Sequence, residues 1–384
     1  MTVSERFHRL SNGREDAVSP AKDDQETVVG DEEKNVLLSI ISQLRPGCDL
    51  SRITLPTFIL ERKSMLERIT NAMQHSDILL PAINNEDPVG RFINVLKFYM
   101  AGWHIVPQGV KKPMNPILGE HFHCTWRLPD GSQAFYVAEQ VSHHPPASAY
   151  FYIIPRHGIR IDGLLKPKSR FLGNSAASMM EGFAIVSFLS GPGAGEEYVL
   201  TQPNIYARGI LFGKLKLELG DQAIVKCKQT NLQADIEFKV KGFVTGTYNA
   251  IHGVVRNTQN NSQLYEMHGK WNSDMTIKDI KSGKTSELFN PTKSTPILPD
   301  VRGLEEQEEN ESRRLWQHVV AALAKRDQNL ATDEKFKIED EQRQMQKERE
   351  AIGVEWKPRF FRPDGEMWVF SQPMYDDSAN LTKT

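Results

Sequence analysis

Residues 121–128 read HFHCTWRL, and the apolar members fall at every second place: Phe122, Cys124, Trp126 and Leu128. Successive side chains of a strand point to opposite faces, so this alternation predicts a half-buried β-strand. The same period returns at Leu215, Leu217 and Leu219, and again at Ile236, Phe238 and Val240. Turn signals divide the stretch, among them Pro129-Asp130-Gly131, Gly191-Pro192-Gly193, Gly220-Asp221 and Asn260-Asn261. No helix-length period interrupts residues 117–290, which favours an antiparallel meander over βαβ units. A flat sheet of that many strands would expose long edges, so a sandwich or a barrel is expected, and a large barrel can enclose a cavity.

Helical spacing flanks this region. Before it, Leu66, Ile69 and Met73 mark one amphipathic helix over residues 64–73, and Phe92, Val95, Leu96, Tyr99 and Trp103 mark a second over 91–103. After it, Leu315, Val319, Val320 and Leu323 share a helix face, and residues 333–351 form a charged helical stretch. Residues 1–34 read as an acidic tail too poor in large apolar side chains to offset its ordering entropy. Residues 35–60 are apolar yet broken at Pro46-Gly47 and Pro56, an odd way to build a core. The folded core is expected over 61–362, with 363–384 as a second tail.

The 47 Lys and Arg against 49 Asp and Glu leave a net charge of -2, so no global positive field points to nucleic acid, and a basic site must be local. Cys48, Cys124 and Cys227 are odd in number and far apart, which excludes a disulfide framework and a cysteine zinc site. No apolar run approaches the ~18 residues a spanning helix requires, and no signal peptide or lipid-anchor motif is read. A cytoplasmic, reducing setting with only reversible membrane contact is the expectation.

Four clusters could carry chemistry. Glu139-Gln140-Val141-Ser142-His143-His144-Pro145-Pro146 sets two imidazoles before a diproline, which is expected to hold them apart and extended. A metal site, acid–base catalysis and anion binding all use such a pair, and so does a structural turn. No HExxH, third His or Cys ligand, or G-x-S-x-G accompanies it, which weighs against zinc and against a nucleophile–base set. Lys111-Lys112-Pro113-Met114-Asn115-Pro116 presents lysine and carboxamide on a stiff loop, by itself a turn with solvated lysines. Lys335, Glu339 and Arg343 share one helix face at i, i+4 and i+8, a spacing that usually means surface ion pairs. Pro167-Lys168-Ser169-Arg170-Phe171-Leu172-Gly173-Asn174-Ser175 could hold an anion or be a loop.

EQVSHHPP closely resembles the signature of the oxysterol-binding-protein-related lipid-transfer proteins. The similarity extends to KKPMNPILGE, PKSRFLGNS and DEKFKIEDEQRQ, covering roughly residues 36–362. LRPGCDLSRITLPTFIL and PKSRFLGNS look most like the short fungal members that carry phosphatidylserine. The resemblance implies a mainly β fold with flanking helices: a large, near-complete antiparallel β-barrel around a hydrophobic lipid tunnel, with an N-terminal lid and a C-terminal helical region. It implies that Lys112, Asn115, His143, His144, Lys335, Glu339 and Arg343 hold a phosphatidylinositol 4-phosphate headgroup. Leu55, Thr57, Asn115, Lys168 and Ser169 would serve phosphatidylserine, and Ile53, Leu55 and Phe58 would belong to the lid. The implied protein is a monomeric carrier, not an enzyme, with no cofactor or metal. It would exchange the two lipids through transient membrane contact at endoplasmic reticulum–plasma membrane contact sites, with any tethering partner unknown. The alternatives are a sterol exchanger of the same fold and a lipid-occupied sensor or scaffold that transfers little.

Overall fold

Two short strands, β1 (Leu60–Ser64) and β2 (Lys112–Met114), pair in parallel, with Leu60 opposite Lys112. The main sheet opens with β3 (His121–Arg127), β4 (Gln133–His143), β5 (Pro146–Ile154), β6 (Ile159–Phe171) and β7 (Ser175–Phe188). It continues through β8 (Glu197–Leu200), β9 (Asn204–Arg208), β10 (Lys216–Cys227) and β11 (Leu232–Lys239). It closes with β12 (Ala250–Asn257), β13 (Gln263–Lys270), β14 (Met275–Asp279) and β15 (Thr285–Phe289). This is a computed structural model, and it describes residues 44–50, 56–105, 111–211, 215–242 and 246–371.

All thirteen strands are antiparallel to their neighbours and follow chain order, with one deviation. The short strands β8 and β9 share the space between β7 and β10: β8 pairs Ala184–Ser187 of β7, and β9 pairs Ser175–Ser178. The expected meander is therefore present, but among the described residues the ladder runs from β3 to β15 without pairing its ends. The edge of β3 is instead covered by the chain before the C-terminal helices, through His121 N–H to Asn310 C=O at 3.1 Å and reciprocal bonds between Thr125 and Asp300.

One apolar cluster touches both ends of the sheet. Phe122 and Trp126 of β3 belong to it, as do Phe188, Val225, Phe238, Met275 and Phe289 from strands across the ladder. The same cluster contains Phe92, Val95 and Leu96 of helix α1 (Pro88–Ala101), each with no exposed surface. The sheet therefore curls around α1, and burying each of those side chains contributes about 1.5–3 kcal/mol. α1 begins where Asp87 accepts from the N–H groups of Val89 and Gly90 at 3.0 Å each, with Pro88 in the first turn.

The earlier segment departs from the helix predicted over 64–73. Only Met65–Arg68 makes an α-turn, and Ile69–Met73 and Ser76–Asn84 are 3-10. Its carbonyls are taken by side chains: the Thr70 hydroxyl donates to Glu67 C=O at 2.6 Å and the Tyr136 hydroxyl to Leu66 C=O at 3.0 Å. Such bonds compete with the i to i+4 ladder.

After the sheet, a single turn (Ser312–Leu315) leads into α2 (Gln317–Ala324) and α3 (Gln328–Ala351). The predicted tail after residue 362 needs correction, because β16 (Phe361–Asp364) and β17 (Met367–Phe370) form a hairpin. The Pro363-Asp364-Gly365 turn between apolar runs supports it, with Gly365 at φ 58. Phe361 and Met367 are buried with Val137, Phe151 and Ile153 on the outer face of β4 and β5, and Phe370 stacks on Phe151 at 4.5 Å. No helix among the described residues is long and apolar enough to cross a membrane.

Candidate functional site

The octapeptide at the β4–β5 hairpin divides into a buried half and a rim half. Glu139 and Gln140 are each 1% exposed. The Glu139 carboxylate accepts from the backbone N–H groups of Arg359 and Phe360 at 2.8 Å, tying the C-terminal hairpin to the sheet. Burial raises its pKa, with those two donors acting the other way. Gln140 accepts from the Ser148 hydroxyl at 2.5 Å and donates to Ser142 C=O at 2.8 Å. A bulge between Gln140 and Ser142 shifts the register and re-aims the end of the strand.

The imidazole pair sits just beyond this bulge. His143 lies opposite Pro146, so His144 and Pro145 form the loop, and the Ser142 hydroxyl closes it on Pro145 C=O at 2.7 Å. The two rings are not held apart as the sequence predicts. Their centroids are 4.5 Å apart, with His143 Nδ1 3.2 Å from His144 Nε2. The tight hairpin places them side by side on one rim.

Lys112 and Asn115 reach that rim from β2 and the turn after it. Asn115 Nδ2 lies 3.5 Å from His143 Nε2. The turn is fixed from below by Glu120, which is fully buried and accepts from the Ser312 hydroxyl at 2.7 Å, Trp316 Nε1 at 2.9 Å and Ile117 N–H at 3.1 Å. Gly119 permits this path: its φ is +80, and a Cβ would lie 2.5 Å from the Trp356 ring.

Helix α3 brings the third set. Lys335 Nζ bonds Glu339 Oε1 at 2.5 Å, and Glu339 interacts electrostatically with both Lys112 and His143. One carboxylate thus sits among cations and imidazoles from three distant parts of the chain. Arg343 does not join them here: its guanidinium pairs with Asp340 at 3.2 Å and lies over the exposed Phe336 ring at 5.3 Å. Its position on the shared face is as predicted, but the side chain turns along the helix.

The other candidates are spread along the wall beside this rim. Ile53 and Leu55 lie outside the described residues. Thr57 and Phe58 are buried; the Thr57 hydroxyl donates to Gln328 Oε1 at 2.8 Å at the start of α3. Phe58 packs with Ile59, Phe171 and Ile210. Upstream, Gly47 N–H donates to Phe171 C=O and Phe171 N–H to Cys48 C=O at 3.0 Å, so the segment before residue 51 is stitched to the end of β6. Ser169 shares the face of Phe171, half-buried and opposite Ser178 of β7. Lys168 falls on the other face, where it pairs with Glu181 at 2.8 Å. The register therefore separates Lys168 from Ser169, which adjacency in sequence could not reveal.

The rim holds positive charge that the protein neutralises only in part. The Lys112 residue is exposed, yet enough protein surrounds its ammonium to lower its pKa by desolvation, aided by Lys335 and opposed by Glu339. His143 is pushed down to about 4 by burial and by His144, against Glu339. Without an anion His143 is thus neutral near pH 7, with two ring nitrogens able to donate one proton and take another. A phosphate monoester would find ammonium, imidazole and carboxamide donors converging, and its charge would raise the imidazole pKa. Sequence reading assigned no positioning role to Glu120, Glu139 or Gln328; for the two acids the available signal was a carboxylate placed among apolar neighbours in PILGEHF and FYVAEQV.

Comparison with known proteins agrees with this architecture. The oxysterol-binding protein family model matches residues 39–322 and 319–379. The chain is 56% identical over 344 residues to oxysterol-binding protein-like protein OBPa of Candida albicans, spanning 89% of this chain and 79% of that protein. It is 54% identical over 376 residues to oxysterol-binding protein homolog 6 of Saccharomyces cerevisiae, spanning 94% and 83%. In fold it is similar to the Osh1 ORD domain solved with ergosterol, with TM-score 0.77, 22% identity and 96% and 93% of the two chains covered. The Osh3 ORD of Saccharomyces cerevisiae solved with PI(4)P gives TM-score 0.64 at 20% identity, covering 88% and 90%. With a matching family model over most of its length and relatives above half identity, the chain belongs to the oxysterol-binding protein family.

Proposed function

We propose that this protein is a lipid-transfer protein that exchanges phosphatidylserine for phosphatidylinositol 4-phosphate between membranes, one molecule at a time. The observation that carries the reading is the meeting of Lys112, His143 and Lys335 at Glu339 on one rim, with Asn115 and His144 against His143. A monoester phosphate brings close to two negative charges, and several donors must replace its hydration before it can leave water. The acyl chains would enter a tunnel inside the curled sheet, each buried CH₂ contributing about 0.8 kcal/mol. Chains are alike between lipids, so selection falls to the rim.

The segment around Thr57 and Phe58 acts as the downstream anchor of the lid in this mechanism. It is fixed to α3 by Gln328 and continues directly into β1, whose partner strand carries Lys112. Headgroup and lid are therefore mechanically adjacent, and occupation by one lipid excludes the other. A gradient of the phosphoinositide can then drive the counter-lipid, with no bond made or broken. Similarity to the short fungal phosphatidylserine carriers supports that counter-lipid, and contact sites between endoplasmic reticulum and plasma membrane as the place of work.

Mass spectrometry of lipid co-purified with the protein, followed by transfer between liposomes, tests the proposal. The expected result is phosphatidylserine in the purified protein and transfer that accelerates when the acceptor holds phosphatidylinositol 4-phosphate. Co-purified sterol with no serine lipid would replace the counter-lipid. Occupancy without transfer would make the protein a sensor.

A further inference from the structure

The outer face of β12 and β13 carries a cluster that the lipid mechanism does not use. Ile251 and Val255 of β12 and Met267 of β13 face the core, so strand alternation turns His252, Glu266 and His268 outward. His252 and His268 are directly paired across the strands, with ring centroids 4.8 Å apart. Both Nε2 atoms converge on one oxygen, Glu266 Oε1, at 3.2 and 3.1 Å. All three donor atoms lie within 4.8 Å of one another.

We propose that His252, Glu266 and His268 form a binding site for a divalent transition-metal ion of the zinc class, with a coordination position open to solvent. Bonds of about 2.0–2.2 Å in a tetrahedron set ligand atoms roughly 3.3–3.5 Å apart, so the two nitrogen–oxygen edges already come close to what zinc requires. Two imidazoles and one carboxylate suit zinc, copper or nickel better than magnesium or calcium, which take oxygen. Each imidazole now presents Nε2 to the carboxylate; on metal binding that nitrogen supplies its lone pair and the ring proton sits on Nδ1.

The surroundings favour a fixed site. Two paired strands hold all three ligands, and Gly269, next to His268, has φ +139 where a Cβ would lie 2.3 Å from Asp274 C=O. Glu237 of β11 lies opposite His252, and Lys278 of β14 lies opposite Glu266, so one acid and one base flank the cluster. A bound ion would clasp β12 to β13 and stabilise the folded state by mass action. The site shares no residue with the headgroup rim.

The test uses the untagged, chelator-treated full chain, titrated with zinc against a chromogenic chelator and separately with cobalt(II). One equivalent of zinc, cobalt absorption of a four- or five-coordinate site, and a melting temperature that rises with zinc are expected. The double variant His252→Gln with His268→Gln should lose all three, while His143→Ala with His144→Ala keeps them. Equal uptake by wild type and the first variant, no competition with the chelator, or loss in the second variant instead would each overturn the site. Because all three side chains are surface groups, circular dichroism of the metal-free variants checks that folding is preserved.

Discussion

The buried carboxylates of Glu120 and Glu139 and the rim around Glu339 are built from the same residue types and even from the same short motifs, but they are finished differently. Glu120 is met by Ser312, Trp316, Ile117 and Ser64, and Glu139 by two backbone N–H groups, all within the protein. At the rim, two lysines and the His143 imidazole share a single carboxylate, and His144 stands against His143. A complete set holds the structure; an incomplete one leaves donors for a ligand. The difference separates positions whose loss should unfold the protein from those whose loss should blind it.

The sharpest way to break that division is to remove a finished carboxylate. Glu120→Ala leaves the Ser312 hydroxyl, the Trp316 indole and the Ile117 N–H without their acceptor, at about 1–3 kcal/mol for each buried group left unsatisfied. A large fall in melting temperature, with lipid extraction lost in parallel, is expected by thermal denaturation and liposome extraction. An unchanged melting temperature would place Glu120 among the binding groups.

Lys335→Ala should do the reverse. A charge-assisted hydrogen bond is worth about 1.5–3 kcal/mol, so phosphoinositide affinity should drop by about tenfold or more at unchanged stability. Arg343→Ala should cost far less, because that guanidinium is engaged with Asp340 and Phe336. Equal losses in the two variants would mean that Arg343 swings into the rim when lipid binds.

Acid should act on the interior as well as on the rim. His75 and His104 face each other at 2.7 Å beside Phe289, and burial holds both down at about 4. The unfolded chain then binds more protons than the folded one between about pH 6.5 and 4, so stability is full above that window and falls as pH drops through it. Urea midpoints measured at several pH values check this, and His104→Gln should flatten the slope. The smallest effect is expected for Lys168→Ala, whose side chain pairs with Glu181 on the face away from Ser169, and extraction of both lipids should stay near wild type.

How much of the fold and the rim was legible in the sequence depends on the range of the forces involved. Strand alternation at Phe122, Cys124 and Trp126 is local and strong, and it located the sheet within a few residues of β3 and β15. The rim set came from resemblance, since Lys112, His143 and Lys335 lie too far apart in sequence for spacing to join them. Side-chain direction was not legible: Arg343 turned along α3, Lys168 turned outward, and the histidines came together instead of apart. The C-terminal hairpin was overlooked although FRPDGEMWVF carries a turn between two apolar runs, because its partner surface on β4 and β5 exists only in three dimensions.

The central claim is that the twin imidazoles serve a phosphorylated headgroup and not the fold. Parallel liposome transfer of phosphatidylinositol 4-phosphate and phosphatidylserine by the His143→Ala, His144→Ala variant, with its melting temperature measured alongside, tests it most directly. The expected result is abolished phosphoinositide transfer, largely retained extraction of the serine lipid and an unchanged melting temperature. Equal loss for both lipids together with a lowered melting temperature would show that the pair is structural.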